Sequence, residues 1–420
     1  MAYSRAGTFL SVDDGSVAGS SPQLLVLQET CRALARMRGE VAASSLADQV
    51  VRRYPTLTDA ERSGFFAFLL SEFSPEQRAI EDAIAAYRSA PNPLTAQALG
   101  AVAEAPRLGL FRSFNTAAGG LDTLLAMRTD AMSAARKEPD LVPVERDLAH
   151  ILGSWFNRGF LRLQRIDWNT PATVLEKLIA YEAVHEIRGW DDLRRRLEHD
   201  RRCFGFFHPL LPDEPLIFVE VALTLDLPGS IQPLLDAPVP PDDLVPDYKA
   251  AIFYSITNCQ AGLRGIPLGN FLIKQVTEEL TTSVPSLNLF STLSPVPGYV
   301  SWVRETGGDL PDAVAAAVTV EASEVDAELE DQVVRSCAQY LLTAKHKLQP
   351  LDSVARFHLR NGARLERVNW AGDISRKGLE ESYGLMVNYV YDTDELADNH
   401  EAYANEYRVA HSASVAALAE

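Results

Sequence analysis

The sequence is poor in the residues that build metal, disulfide and nucleotide sites. Only four cysteines occur, at 31, 203, 259 and 337, and none forms a Cys-x-x-Cys pair. That spacing excludes a cysteine zinc site and a disulfide framework. Cys31 and Cys337 fall in helical apolar patterns and read as core fillers. There is no His-x-x-x-His, no His-Glu-x-x-His and no Asp-rich calcium loop, so no metal site is expected. The dinucleotide fingerprint Gly-x-Gly-x-x-Gly is missing, and so is the Gly-x-Ser-x-Gly elbow of a serine hydrolase. No apolar run reaches the ~20 residues of a membrane span. The stretch MAYSRAGTFLSVDDGS has no basic region ahead of an apolar core, so no secretory leader is expected. Positive charge is also in deficit: 39 Lys and Arg stand against 57 Asp and Glu, a net charge of −18. Nucleic acid is thereby disfavoured as a partner, because phosphate neutralisation needs a basic surface. A reducing cytoplasm is the expected compartment.

What is present suits a large, two-part protein. At 420 residues with 47% hydrophobic content, the chain can bury two cores. Residues 1–168 read as all-helical and 169–420 as a mixed α/β domain. SPQLLVLQETCRALARM (21–37) has apolar residues at helical spacing. Thr58 and Glu61 form a capping-box pair before GFFAFLLSEF. Ser74-Pro75-Glu76-Gln77 predicts an N-cap, a first-turn proline and a second capping box. Further helices are expected near 96–104, 119–136 and 145–157, which together suit a bundle. Beyond them, helices over 169–187 and 191–199 precede strands RCFGFFHP (202–209), LIFVEVALT (216–224) and AAIFYSIT (250–257). LNLFSTLS (287–294), RLERVNW (364–370) and GLMVNYVYD (384–392) complete a mixed sheet, with a long acidic helical region over 311–345.

RGIPLGNFL (264–272) lies between the strand AAIFYSIT and the amphipathic segment NFLIKQVTEEL. A glycine-rich turn between strand and helix aims several N–H groups at one spot, beside the positive end of the helix dipole. The string resembles the coenzyme A loop of the acetyltransferase fold, with Pro267 removing one donor. The plainer reading is an ordinary strand–turn–helix connection.

Two further residues stand out. His358 in FHLRNGARLERVNW precedes an Asn361-Gly362 turn, which suggests a ring near a loop mouth. Arg356, Arg360 and Arg364 suggest a cationic edge around it; a solvated helix face would look the same. Ser294 ends FSTLS before Pro295, where a hydroxyl can face a ligand or simply cap a turn. His208 and Glu220 read as structural.

Five strings, HPLLPDEPLIFVEVALT, AIFYSITNCQAGLRGIPLGNFLIKQV, FSTLSPVPG, FHLRNGARLERVNW and SYGLMVNYVYD, together resemble the malonyl-CoA decarboxylase family in order and spacing. The resemblance implies a helical N-terminal self-association domain and an acetyltransferase-like (GNAT) catalytic domain with a mixed central sheet, an α+β two-domain chain. It implies Ser294 and His358 as catalytic residues, with Ser255 and Tyr391 beside them. It implies Arg264, Gly265, Ile266, Pro267, Leu268, Gly269 and Asn270 as the CoA-binding loop. Some members carry Glu where Pro267 stands, so a carboxylate there is either dispensable or supplied elsewhere. Malonyl-CoA would be substrate and acetyl-CoA product, with no cofactor and no metal, in a homo-oligomer (dimer or tetramer) that engages neither nucleic acid nor membrane. In this scheme His358 protonates the carbanion, since a histidine can carry a proton near neutral pH. Rival readings are an N-acyltransferase of the same fold, a non-catalytic acyl-CoA sensor and a thioesterase using Ser294.

Overall fold

The computed structural model describes residues 21–157, 159–241, 246–266, 272–306 and 327–419. The chain separates into two compact units, one holding residues 1–154 with 262–264, the other residues 155–261 with 265–420.

The first unit is helical: α1 Pro22–Arg36, α2 Glu40–Arg53, α3 Asp59–Glu72, α4 Gln77–Ser89, α5 Pro93–Ala103, α6 Arg107–Phe114, α7 Gly120–Lys137 and α8 Val142–Trp155. The capping box forms as the sequence predicts. Thr58 N–H donates to Glu61 Oε2 at 2.7 Å, and Glu61 N–H donates to Thr58 Oγ1 at 3.4 Å. The second predicted box does not form. Ser74 Oγ turns back to the Leu70 carbonyl at 2.5 Å, and α4 starts after Glu76 with no side-chain cap. Phe65 and Phe66 form one fully buried ring pair of the unit, and Phe111 and Phe114 another. In contrast α4 and α5 bury no residue at all, and Leu94 is 76% exposed.

The second unit carries one large sheet. Its strands are β1 Arg162–Ile166, β2 Arg201–His208, β3 Leu211–Thr224, β4 Ala250–Asn258, β5 Leu289–Thr292, β6 Ser294–Pro295, β9 Arg364–Asn369 and β10 Met386–Val390, with β7 Lys345–His346 and β8 Gln349–Pro350 in a separate hairpin. The order is β1-β2-β3-β4-β5-β10-β6, with β9 on β10. Every pair in it is antiparallel except β4 with β5. This is the mixed sheet expected for the acetyltransferase-like part. β2, β4 and the part of β3 from Pro215 to Leu223 are almost wholly buried, which is why they read as continuous apolar runs rather than alternating ones. Helices Ala172–Tyr181 and Trp190–Arg196 supply Val174, Leu175, Leu178 and Leu193 to a core over Cys203, Phe207 and Phe218.

The helix expected to run to 187 stops at Tyr181. Glu182 takes its carboxylate out of helical register and accepts from the N–H groups of Val184 and His185, at 2.7 and 2.8 Å. Those bonds replace the next helical turn. The described part of the acidic region is helical over Ala327–Thr343. No described helix is long and apolar enough to cross a membrane.

Candidate active site

A break in the sheet creates the site. β4 and β5 run in parallel register only from Ala250↔Leu289 to Phe253↔Thr292. Next on β4 comes a bulge: Glu220 of β3 faces Ser255 and Val221 faces Phe253, leaving Tyr254 as the extra residue. A bulge of this kind bends the strand and re-aims its side chains. On the other side Leu293 interrupts the path, and Ser294 pairs with Val387 of β10 instead. The two strands therefore part beyond Phe253. A cavity of about 350 Å³ lies in the gap, lined by Ser255, Ile256 and Asn258 on one wall and Ser294 and Pro295 on the other. The helix Ser353–Arg360 closes it with Val354, Phe357 and His358.

That helix is set by Asp352. Its buried side chain accepts from Val354 N–H at 2.9 Å and Ala355 N–H at 2.8 Å. Burial pushes the Asp352 carboxyl above its ordinary range, against the pull of those donors. Ala355, His358 and Leu359 form the buried face of the helix. Gly362 ends it at φ +83°, where a Cβ would meet the Leu396 carbonyl oxygen at 2.3 Å, so glycine is required. The predicted Asn-Gly turn is thus present, but His358 sits in the helix before it and is 3% exposed, not at a loop mouth.

Four side chains form one hydrogen-bonded chain. Ser294 Oγ donates to Thr292 Oγ1 at 2.9 Å, and Thr292 Oγ1 also accepts from Tyr389 N–H. The serine's only proton is then used, so the His358 Nε2 at 3.1 Å from Ser294 Oγ must carry a hydrogen and donate it. His358 Nδ1 is left as acceptor, and the Tyr391 hydroxyl donates to it at 2.7 Å. Tyr389 stacks on the imidazole with centroids 4.6 Å apart. Alternation along FSTLS puts Thr292 and Ser294 on one face, a signal the sequence carried.

The electrostatics correct one expectation. Burial alone pushes His358 down to about 3, so the ring stands neutral at pH 7. The anticipated cationic edge does not reach it. Arg356 donates to the carbonyls of Pro350 and Leu351, both at 2.7 Å, Arg364 pairs with Glu366 at 2.9 Å, and Arg360 is exposed. What His358 offers is the Nε2–H of a neutral imidazole.

Ser255 lies on the opposite wall, and its Oγ contacts both carboxylate oxygens of Glu182. Sequence reasoning missed Glu182, since nothing local links it to a serine 73 residues away. Arg264 and Gly265 form a turn after the short helix Ala261–Leu263, with Gly265 at φ +81°, and Ile266 follows in a bend. Pro267, Leu268, Gly269 and Asn270 lie outside the described residues. His208 packs on Phe156, and Glu220 is the buried partner of Arg196 at 2.8 Å; neither lines the cavity. No group of three or more His, Cys, Asp or Glu among the described residues could hold a metal ion.

Parted parallel strands around a buried hydroxyl–imidazole–phenol chain form a candidate acid–base site. The comparisons with known proteins sharpen this. Residues 159–420 match the family model described as malonyl-CoA decarboxylase C-terminal domain, and 73–156 the corresponding N-terminal domain. The mitochondrial malonyl-CoA decarboxylase of Anser anser anser is 36% identical over 70% of this chain, an alignment spanning 65% of that relative. Crystal structures of malonyl-CoA decarboxylase from Rhodopseudomonas palustris and Agrobacterium vitis superpose with TM-scores of 0.86 and 0.88, at 42% and 43% identity. Each covers 94% of this chain, and 98% and 100% of the respective neighbour. The chain belongs to the malonyl-CoA decarboxylase family, a family of carboxy-lyases.

Proposed function

We propose that this protein converts malonyl-CoA to acetyl-CoA and CO2 in the cavity between β4 and β6. The observation that carries this reading is the chain Tyr391–His358–Ser294, which brings a proton to the edge of a cavity with no cationic side chain among its described lining residues. The bond from C2 to the carboxylate breaks, CO2 leaves, and the electron pair moves into the thioester as an enolate. The substrate is its own electron sink, so the chemistry asks nothing of a metal, biotin or pyridoxal group. The protein supplies position and donors: a carboxylate held out of the thioester plane, and hydrogen bonds to the developing oxyanion, each worth roughly 3–4 kcal/mol. Ser294 can turn its proton to the ligand, because Thr292 is only a neutral acceptor. His358 Nε2 then gives its hydrogen to the carbanion. The Tyr391 hydrogen bond at Nδ1 eases the charge left on the ring, and a solvent proton restores it. Residues 264–270 would hold the CoA pyrophosphate.

Running the reaction in D2O tests the proton step. Acetyl-CoA is expected to carry one deuterium more than malonyl-CoA recovered from the same tube; equal labelling would contradict carbanion protonation. Activity is expected to persist after dialysis against EDTA, whereas a loss reversed by one metal would count against the scheme.

Self-association, expected of residues 1–168, is proposed for the helical unit ending at Ser154, because β1 at Arg162–Ile166 belongs to the sheet. A hairpin of α4 and α5 with no buried residue leaves an Ala-rich surface that a second copy could cover. Light scattering at micromolar concentration is expected to give at least twice the 46.1 kDa chain mass. A monomer would rule the assignment out.

A further inference from the structure

Ser255 and Ser294 face each other across the cavity and differ in what holds their protons, and Glu182 is the cause. Ser255 Oγ carries one proton, and it faces Glu182 Oε1 at 2.9 Å and Oε2 at 2.8 Å. Glu182 cannot reciprocate. Its Oε1 already accepts from Val184 and His185 N–H, and its Oε2 from Thr257 Oγ1 at 3.1 Å. A hydroxyl bonded to a carboxylate is held about twice as firmly as one bonded to a neutral group. Ser255 therefore shows the cavity only lone pairs. Across the gap, Ser294 rests its proton on a neutral threonine, and His358 points an N–H at Ser294.

We infer that Glu182 is a positioning residue that fixes Ser255 as a hydrogen-bond acceptor, so that the Ser255 wall receives an amide N–H of the thioester arm and the donor wall receives the malonyl carboxylate. This rests on the thioester reading above. The negative charge of Glu182 behind Ser255 also turns the substrate carboxylate away from that wall. The polarity of the cavity thus sets which way round the substrate lies.

Glu182→Gln tests this sharply, because the backbone dictates how the amide must sit. Val184 and His185 N–H demand an oxygen at the Oε1 position, which puts the new NH2 against Ser255 and Thr257. That NH2 donates to Ser255 and takes up one of its two lone pairs, so the serine loses acceptor capacity toward the ligand. The probes are two short malonyl thioesters of equal length: the N-acetylcysteamine thioester, which has an amide N–H, and its 2-acetoxyethyl analogue, in which ester oxygen replaces the N–H. Malonyl-CoA is run beside them. Wild type is expected to favour the amide by about tenfold in kcat/KM, chiefly through KM. Glu182→Gln should shrink that preference to within about twofold. Ser255→Ala, which leaves Glu182's backbone bonds alone, should do the same and guards against a misfolded Gln variant. Equal use of both probes by a wild type that decarboxylates malonyl-CoA would overturn the inference, as would full preference in folded Ser255→Ala. A wild type inert toward malonyl-CoA would instead sink the functional reading and the inference with it.

Discussion

Replacing His358 by Gln is expected to lower kcat by about 10²–10⁴ while leaving CoA binding close to wild type. Gln keeps much of the volume and can still accept from Tyr391 or donate to Ser294, so the helix Ser353–Arg360 should hold. It lacks a transferable ring proton, so the carbanion loses its acid. Steady-state kinetics with malonyl-CoA, alongside equilibrium binding of CoA, separates the two effects. Ser294→Ala should also slow turnover. The double variant should lose less than the sum of the two singles, because Ser294 Oγ and His358 Nε2 are 3.1 Å apart and act on one proton. Near wild-type CO2 release by His358→Gln would remove His358 from the role of acid.

Mild acid should cost the native state stability through its buried histidines. His358 and His185, the two pushed down furthest, set that window, while the buried Glu220 carboxyl, pushed up to about 8, works in the opposite sense. Burial pushes His358 down to about 3 and His185 down to about 4. The unfolded chain returns both to an ordinary value near ~6.5. Above that pH neither state takes a proton on these rings, and the native state keeps its full advantage. As pH falls below it, the unfolded chain binds protons that the native rings refuse until about pH 4 and about pH 3. Each ring therefore lowers stability on acidification, by at most about 1.4 kcal/mol per pH unit, and Glu220, protonated in the native state below about pH 8, offsets part of that. Urea midpoints at pH 7.5 and pH 5 measure it, and a lower midpoint at pH 5 is expected. His358→Gln removes one ring's share, so its midpoint should depend less on pH. Equal pH dependence in wild type and His358→Gln would mean that the His358 ring takes up its proton at no cost to the fold.

Much of this architecture was written locally. Thr58 and Glu61 are three residues apart and cap one helix, so their spacing alone announces the structure. The apolar runs RCFGFFH and AAIFYSIT read as strands because both of their faces are buried. FSTLS placed Ser294 beside a turn, and its alternation put Thr292 on the same face. Legibility failed where distant parts of the chain decide. β1, RLQRI, is a largely exposed edge strand with a polar sequence, so nothing in it announces a partner. Ser74 looks like an N-cap, but the carbonyl of Leu70 is the acceptor it finds. The neutrality of His358 could not be read either, since the neighbouring arginines turn away and burial alone sets the ring. Glu182 was invisible because its meaning comes from Ser255 and Thr257 on a strand that folds back against it.

The most direct test of decarboxylation is incubation with carboxyl-labelled malonyl-CoA and no acyl acceptor. The account predicts labelled CO2 and acetyl-CoA in equal amounts, with the thioester intact. Labelled malonate with free CoA would show a hydrolase working through Ser294, and no turnover at all would leave an acceptor-dependent transferase or a sensor; either result would contradict the account.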